Sequence, residues 1–238
     1  MGQMFYSLSL AMGIMITYGS YMRKEDNIEK AVRQIELVDT GVSILCGLMV
    51  IPAVFAFSGG DPAAIDTGPG LMFITLPKVF ACTGYAGVIG IVYFTLVLFA
   101  ALTSAISLME TLVASLQDAL KIERIPSCLI MLVVTSLLAI PSALGYGAWG
   151  HITFLNGMSF LDFFDFISNS ILMPVAAFLT CVFIGWILGP NTVINEVAGV
   201  SGFKHKKLYL AMTRYIAPVL ILLVLITSIL VSFKILSI

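Results

Sequence analysis

The sequence predicts an all-α, multi-pass membrane helix bundle, and three observations carry that prediction. Of the 238 residues, 60% are apolar and only 11% charged, where a soluble domain carries about 25% charged residues. Uncharged apolar runs of about 20 residues, the length a spanning helix needs, recur along the whole chain, and no strand-like alternation competes with them. Mean hydropathy is +1.07, so the solvent of this protein is mostly lipid. The net charge of −1, from 12 basic and 13 acidic side chains, excludes nucleic acid as a partner, which would need a basic patch. High hydrophobicity with little net charge also excludes disorder.

In chain order the expected architecture is a single membrane domain over 1–238 with six spans, at 1–22, 30–57, 86–117, 126–147, 160–188 and 209–234. The first span is irregular. Ser7-Leu8-Ser9-Leu10-Ala11-Met12-Gly13 lacks the continuous Leu/Ile/Val character of a simple span. A discontinuous helix, whose freed backbone groups meet ligands at mid-membrane, is one reading; a small-residue packing face using Gly13 and Gly19 is the other. No basic stretch precedes it, so it does not read as a signal peptide. After the second span, 58–85 is long for a connection. Gly59-Gly60-Asp61-Pro62 and Gly68-Pro69-Gly70 flank the amphipathic stretch from Leu71 to Pro77. Turn residues around apolar ones suggest an external lid rather than a linker, with a loop lying on the membrane as the alternative. Lys and Arg then set orientation. The first loop holds Arg23, Lys24, Lys30 and Arg33, and the second only Lys78. The third has Lys121 and Arg124, the fourth none, and the fifth Lys204, Lys206 and Lys207 with Arg214 at its edge. The alternation makes loops one, three and five cytoplasmic and puts both chain ends outside.

Ionisable groups in hydrocarbon cost about 2.5–3.5 kcal/mol each on insertion scales and mark pathways or sites. Asp39, Glu110, Asp162 and Asp165 fall in the spans, and no basic residue lies centrally to neutralise them. A cation, a proton or a further partner is therefore expected. Asp39 and Ser43 stand at i,i+4 on one helix face, as do Gln3 and Ser7; Ala100, Thr103 and Ser104 form a third group, continued by Ser107 and Glu110. Hydroxyl, carboxylate and carbonyl oxygens are the hard ligands that replace water around an alkali cation, although Ser and Thr also make ordinary hydrogen bonds between membrane helices. Asp162 and Asp165 lie at the outer mouth of the fifth span, to meet an external cation or a gating arginine, or simply as a wetted helix start capped by Ser159. Cys46, Cys82, Cys128 and Cys181 form no CxxC pair, which leaves small apolar packing rather than zinc or redox chemistry. The GxGxxG match from Gly145 to Gly150 follows no strand, Gly199-Val200-Ser201-Gly202 lies in a basic loop, and His151 and His205 are far apart in topology. No enzyme chemistry is expected, and an alkali cation is the only metal the pattern suggests.

The stretch from Gly2-Gln3 through Ser7-Leu8-Ser9-Leu10 to Ile16-Thr17-Tyr18-Gly19-Ser20-Tyr21 resembles the sixth helix of the neurotransmitter:sodium symporter family, bacterial branch. Gly68-Pro69-Gly70-Leu71 with Phe73 to Pro77 resembles its fourth external loop, Ala101-Leu102-Thr103-Ser104 with Glu110 its eighth helix, and Arg214-Tyr215 with Pro218 its eleventh. The resemblance implies the second part of an inverted-repeat sodium-symporter fold. It also implies sodium-coupled symport of an amino acid by alternating access in the plasma (bacterial inner) membrane. Carried over by position, Ser7 and Asp39 resemble ligands of a first sodium site, and the Ala100 carbonyl, Thr103 and Ser104 those of a second. Tyr6 resembles the aromatic lid over the substrate, Ser9 and Leu10 the unwound stretch that meets its backbone, and Met12, Ala105 and Leu108 the side-chain pocket. Gln3, Ser7 and Ser43 are similar to the chloride site, and Asp165 to the outer-gate acid, with Phe73 in the lid loop above it. Two positions depart from the family pattern. Asp39 stands where many members have Asn, so its fixed charge could replace chloride. Met12 stands where Phe is common, which favours a neutral substrate that is apolar or aromatic. The resemblance further implies an incomplete chain lacking the first five helices, which supply the other half of both sodium sites and the gating arginine. The other expectation is a transport-incompetent product, or a membrane interaction partner that needs a separately encoded N-terminal half.

Overall fold

The computed structural model describes residues 7–57, 70–154, 157–201 and 206–232. Its elements are helices: α1 Ile14–Tyr21, α2 Ile28–Phe57, α3 Leu71–Ala81, α4 Ala86–Leu120, α5 Arg124–Leu144, α6 Phe160–Leu188, α7 Pro190–Ser201 and α8 Lys206–Val231. Among the described residues, α2, α4, α5, α6 and α8 are long and apolar enough to cross a membrane. The first of the six expected spans is not a continuous helix. Ser7 is helical, residues 8–13 are turns and bends, and α1 begins only at Ile14. Ser9 (φ 53°), Ala11 (φ 62°) and Gly13 (φ 83°) all adopt left-handed backbone, which is uncommon for the two residues that carry a Cβ. The helix breaks where Ser7 and Ser9 alternate with Leu8 and Leu10 ahead of Gly13, in place of a continuous apolar run, as the discontinuous reading required.

By backbone contacts the chain divides into two compact units: Met1–Arg33 with Leu108–Ile238, and Gln34–Ser107. In the second unit, Val54 of α2 is buried with Leu76 and Val79 of α3, and Val50, Leu71, Phe80 and Tyr93 pack around them. Phe80 meets Tyr93 edge-on at 5.2 Å. The part of the expected lid that is described is therefore a helix packed on its neighbours, which begins with a wide π-type turn over Leu71–Thr75 and carries Pro77 near its regular start.

In the first unit, α6 and α8 pack along each other. Both contain wide turns, at Phe166–Leu172 and Phe183–Leu188 in α6 and at Met212–Ile216 in α8. Lipid supplies no hydrophobic drive between helices, so close backbone approach at small residues carries the packing. Gly185 illustrates this: a Cβ there would lie 3.5 Å from the Thr213 carbonyl oxygen and 3.6 Å from Arg214 Cα. Gly189 (φ 81°) ends α6 and Pro190 opens α7, the positions where Gly and Pro fit best. At the start of α6, Phe154 stacks on Phe163 at 4.7 Å and meets Phe160 edge-on at 4.7 Å. Such aromatic clusters suit the membrane–water interface.

The cysteines correct one expectation. Cys46 and Cys82 are exposed, and Cys128 and Cys181 only half-buried, all with free thiols. Cys46 lies in a stretch of α2 whose large apolar residues, Leu45 and Leu48 among them, are themselves mostly exposed. An apolar run in lipid need not be a packed one.

Candidate functional site

The unwound stretch gives the site its backbone. Gly13 is required twice over, by its positive φ and by the Thr111 methyl, which would lie 3.1 Å from a Cβ at that position. Its carbonyl accepts from Thr17 N at 2.9 Å and so starts α1. Ser9 and Leu10, both expected to meet substrate, line a cavity of about 520 Å³ together with residues of α6 and α8. Met12 is half-buried outside that lining. Gln3 and Tyr6 lie outside the described residues.

The oxygen groups are in the places their spacing implies, with some of their hydrogens already donated. On α4 the Thr103 hydroxyl donates to the Ala100 carbonyl at 3.0 Å, and the Ser107 hydroxyl to the Thr103 carbonyl at 3.1 Å. These are back-bonds within one helix, a third option besides ion ligation and interhelical bonding. They leave the lone pairs of Thr103 Oγ1 available to a cation, while the Ala100 carbonyl already accepts from the Thr103 hydroxyl and, within the helix, from Ser104 N–H. Ala100, Thr103, Ser104, Ala105 and Leu108 are all exposed, as is Ser43, while Asp39 is half-buried on the same α2 face. Ser7 belongs to the first unit and Asp39 to the second; the two ligands expected for one sodium site sit in separately described parts. In the lid helix, Phe73 stacks on Phe94 at 6.0 Å with 17° between the ring planes.

The four acids were expected to have no basic partner within the chain; Glu110 has one, and Asp162 and Asp165 accept hydrogen bonds from neighbours on their own helix. Glu110 is the clearest correction. Tyr21 Oη donates to its Oε1 at 2.8 Å, and Arg124 reaches its Oε2 at 2.6 Å. Arg124 lies at the start of α5, after a turn in which Lys121 takes φ 54°. It reads as a loop charge in sequence, yet its long side chain returns to α4 and neutralises the acid. Asp162 resolves to the capping alternative. It closes a capping box with Ser159, its Oδ2 accepting from Ser159 Oγ at 2.7 Å while its N–H donates to Ser159 Oγ at 3.3 Å. Asp165 is exposed and accepts from the Asn169 side-chain amide one turn on. Tyr21 and Arg124 are the site residues that sequence reading missed. Arg124 was visible as the charged residue nearest to Glu110 across the α4–α5 connection.

The chain matches the sodium:neurotransmitter symporter family over residues 1–237. It is 32% identical over 229 residues to an uncharacterized sodium-dependent transporter of Haemophilus influenzae, covering 96% of this chain and 49% of that protein. It is 34% identical over 228 residues to the uncharacterized sodium-dependent transporter YhdH of Bacillus subtilis, covering 94% and 49%. A crystal structure of MhsT in complex with L-phenylalanine superposes with a TM-score of 0.85 at 35% identity, covering 95% of this chain and 50% of that one. The chain thus spans about half the length of the curated relatives it matches.

Proposed function

The chain belongs to the sodium:neurotransmitter symporter family, and from that premise we propose that it is the second part of a sodium-coupled symporter for a neutral, apolar or aromatic amino acid. It is a multi-pass protein of the plasma (bacterial inner) membrane, not an enzyme. The observation that carries the proposal is the break at residues 8–13, where three left-handed residues expose backbone polar groups beside a cavity. Backbone exposed at that depth is tolerated only in protein or around a polar ligand. In this reading Ser7 and Asp39 hold one sodium ion. The Ala100 carbonyl, Thr103 and Ser104 hold the second, so that ion binding orders the unwound stretch around the substrate. Tyr6, Ser9, Leu10, Met12, Ala105 and Leu108 face the amino acid, and Asp165 and Phe73 belong to the outer gate. Substrate and ions favour one conformation by their differential affinity, which drives alternating access.

The phenylalanine bound in the MhsT structure and the adaptable Met12 both favour a bulky apolar substrate. In this reading Asp39, one turn before the chloride-site-like Ser43 on the same helix face, takes the place of chloride, so transport is independent of it. One uptake experiment in vesicles tests these points. With the chain co-reconstituted with a preceding five-helix segment, sodium-dependent uptake is expected to compete with phenylalanine and leucine and to persist without chloride. The chain alone is expected to give none. Uptake competed only by glycine and alanine would refute the substrate class, and an absolute chloride requirement would refute the role of Asp39. Full uptake by the chain alone would favour a self-sufficient protein over one that works with a separate N-terminal half.

A further inference from the structure

Asp165 is held differently from Glu110 and Asp162. Glu110 has a cation and Asp162 a cap. The carboxylate of Asp165 is exposed, and its Oδ1 accepts from the side-chain amide of Asn169. Among the described residues no second hydrogen bond or ion pair reaches that carboxylate, so its Oδ2 is open. An amide carries two N–H donors, and at i,i+4 it lies on the same helix face as the acid.

The backbone beneath the pair is fixed on both sides. The capping box of Ser159 and Asp162 closes the turn before Asp165. The wide turn Phe166–Leu172 begins immediately after it and carries Asn169. At the end of that turn Met173 N–H reaches the Ser168 carbonyl, five residues back. Where regular helix gives way to such spacing, a carbonyl loses its usual N–H donor. The Ser168 hydroxyl supplies a proton there, shared between the Phe164 carbonyl at 2.8 Å and the Asp165 carbonyl at 3.3 Å. The wide turn also packs against α8, and Asn169 is half-buried within it. An anchored donor therefore holds a solvent-facing acid, and not the reverse.

An exposed aspartate with no partner samples several rotamers. A gate closes when its charged groups meet, and a carboxylate already turned to one direction has less freedom to lose at that moment. We propose, on the reading of Asp165 as the outer-gate acid, that Asn169 is a positioning residue of the gate: its amide holds Oδ1 and leaves Oδ2 for the cation that closes it. Wide turns inside helices are frequent at functional sites. This one sets the amide one turn below the acid, on the packed side of the helix. Asn169 acts through Asp165 and has no part in holding substrate or sodium.

The test measures maximal uptake and KM in vesicles that hold the chain together with a preceding five-helix segment. Asp165→Asn, which removes the gate charge, should slow uptake severely. Asn169→Ala should lower maximal uptake by roughly threefold to tenfold, the scale of one hydrogen bond. KM should change little, because the amide acts on a step after binding. Asn169→Gln, whose amide can still donate across one turn, should keep most of the wild-type rate. A side chain needed only for packing would not give that pattern. On the purified chain alone, labelled with 15N-asparagine, an Asn169 side-chain amide proton should exchange slowly with water and lose that protection in Asp165→Ala. Wild-type uptake by Asn169→Ala beside a slowed Asp165→Asn would overturn the role of Asn169 and leave the gate acid standing. Wild-type uptake by Asp165→Asn would overturn the gate reading and the role of Asn169 with it. A raised KM at an unchanged maximal rate, or no rescue by Asn169→Gln, would also overturn it. So would an Asn169 amide indifferent to Asp165→Ala, a result that decides even where the vesicles show no uptake.

Discussion

Replacing Glu110 separates two interactions made by one carboxylate. Its Oε1 accepts from Tyr21 at the end of α1, and its Oε2 meets Arg124 at the start of α5. The Glu110 side chain is 19% exposed and that of Arg124 63%, so solvent screens the ion pair, which is worth about 0–1 kcal/mol. The bond from Tyr21 goes to the same charged carboxylate, but Tyr21 is 56% exposed, so solvent screens that bond as well. Glu110→Ala removes both and should destabilise more than the loss of either partner alone. Glu110→Gln keeps an acceptor for Tyr21 while losing the charge, and should fall near 1 kcal/mol. Arg124→Gln should cost less than 1 kcal/mol. At roughly 2–4 °C per kcal/mol for a chain of this size, thermal melts of the purified protein should resolve the order Ala, then Gln, then the Arg124 variant. A double-mutant cycle between Tyr21→Phe and Glu110→Ala should give a measurable coupling. If Arg124→Gln costs as much as Glu110→Ala, the ion pair and not the tyrosine carries the stability. A coupling near zero would sink the assignment of Tyr21 altogether.

Gly13→Ala should destabilise by at least about 1–2 kcal/mol, because the left-handed backbone disfavours a Cβ and the Thr111 methyl stands 3.1 Å from it. Melting of the variant with and without Thr111→Ser, which removes that methyl, measures the steric share; full rescue by the second change would show that backbone strain contributes nothing. Ser159→Ala breaks the capping box with Asp162 and should cost about 1 kcal/mol. Hydrogen exchange should accelerate locally over residues 160–163. Unchanged protection there would mean that the box does not hold the start of α6.

What was legible in the sequence is what depends on neighbours along one helix. The spanning helices follow from apolar length, and the break at 8–13 from the interruption of the apolar run by Ser7, Ser9 and Gly13. The Ser159–Asp162 cap follows from a three-residue spacing. The pairing of Tyr21 with Glu110 joins residues 89 apart in sequence, and periodicity says nothing about which helix ends meet. Arg124 misled for a related reason. Counting it as a loop charge concealed that an arginine side chain is long enough to reach back to α4. The exposed cysteines show the same limit from the other side: apolar composition identifies lipid as solvent without showing which face is packed.

The proposed second sodium site shows how far one helix can go towards an ion site. The Ala100 carbonyl, Thr103 and Ser104 present three oxygens on one exposed helix face, and the hydroxyl of Thr103 already turns its proton to Ala100. That orientation suits cation binding, because the lone pairs rather than the hydrogen of Thr103 remain to face an ion. A cation leaving water must recover a shell of oxygens, and three on one helix recover only part of it. The two hydroxyls are neutral and add no charge to offset the desolvation penalty. Affinity at this place therefore depends on oxygens from another segment approaching α4, and the bare stripe is a template for a site rather than a site in itself. The same reasoning applies less severely to Asp39, whose carboxylate brings a full negative charge to the ion it is proposed to hold.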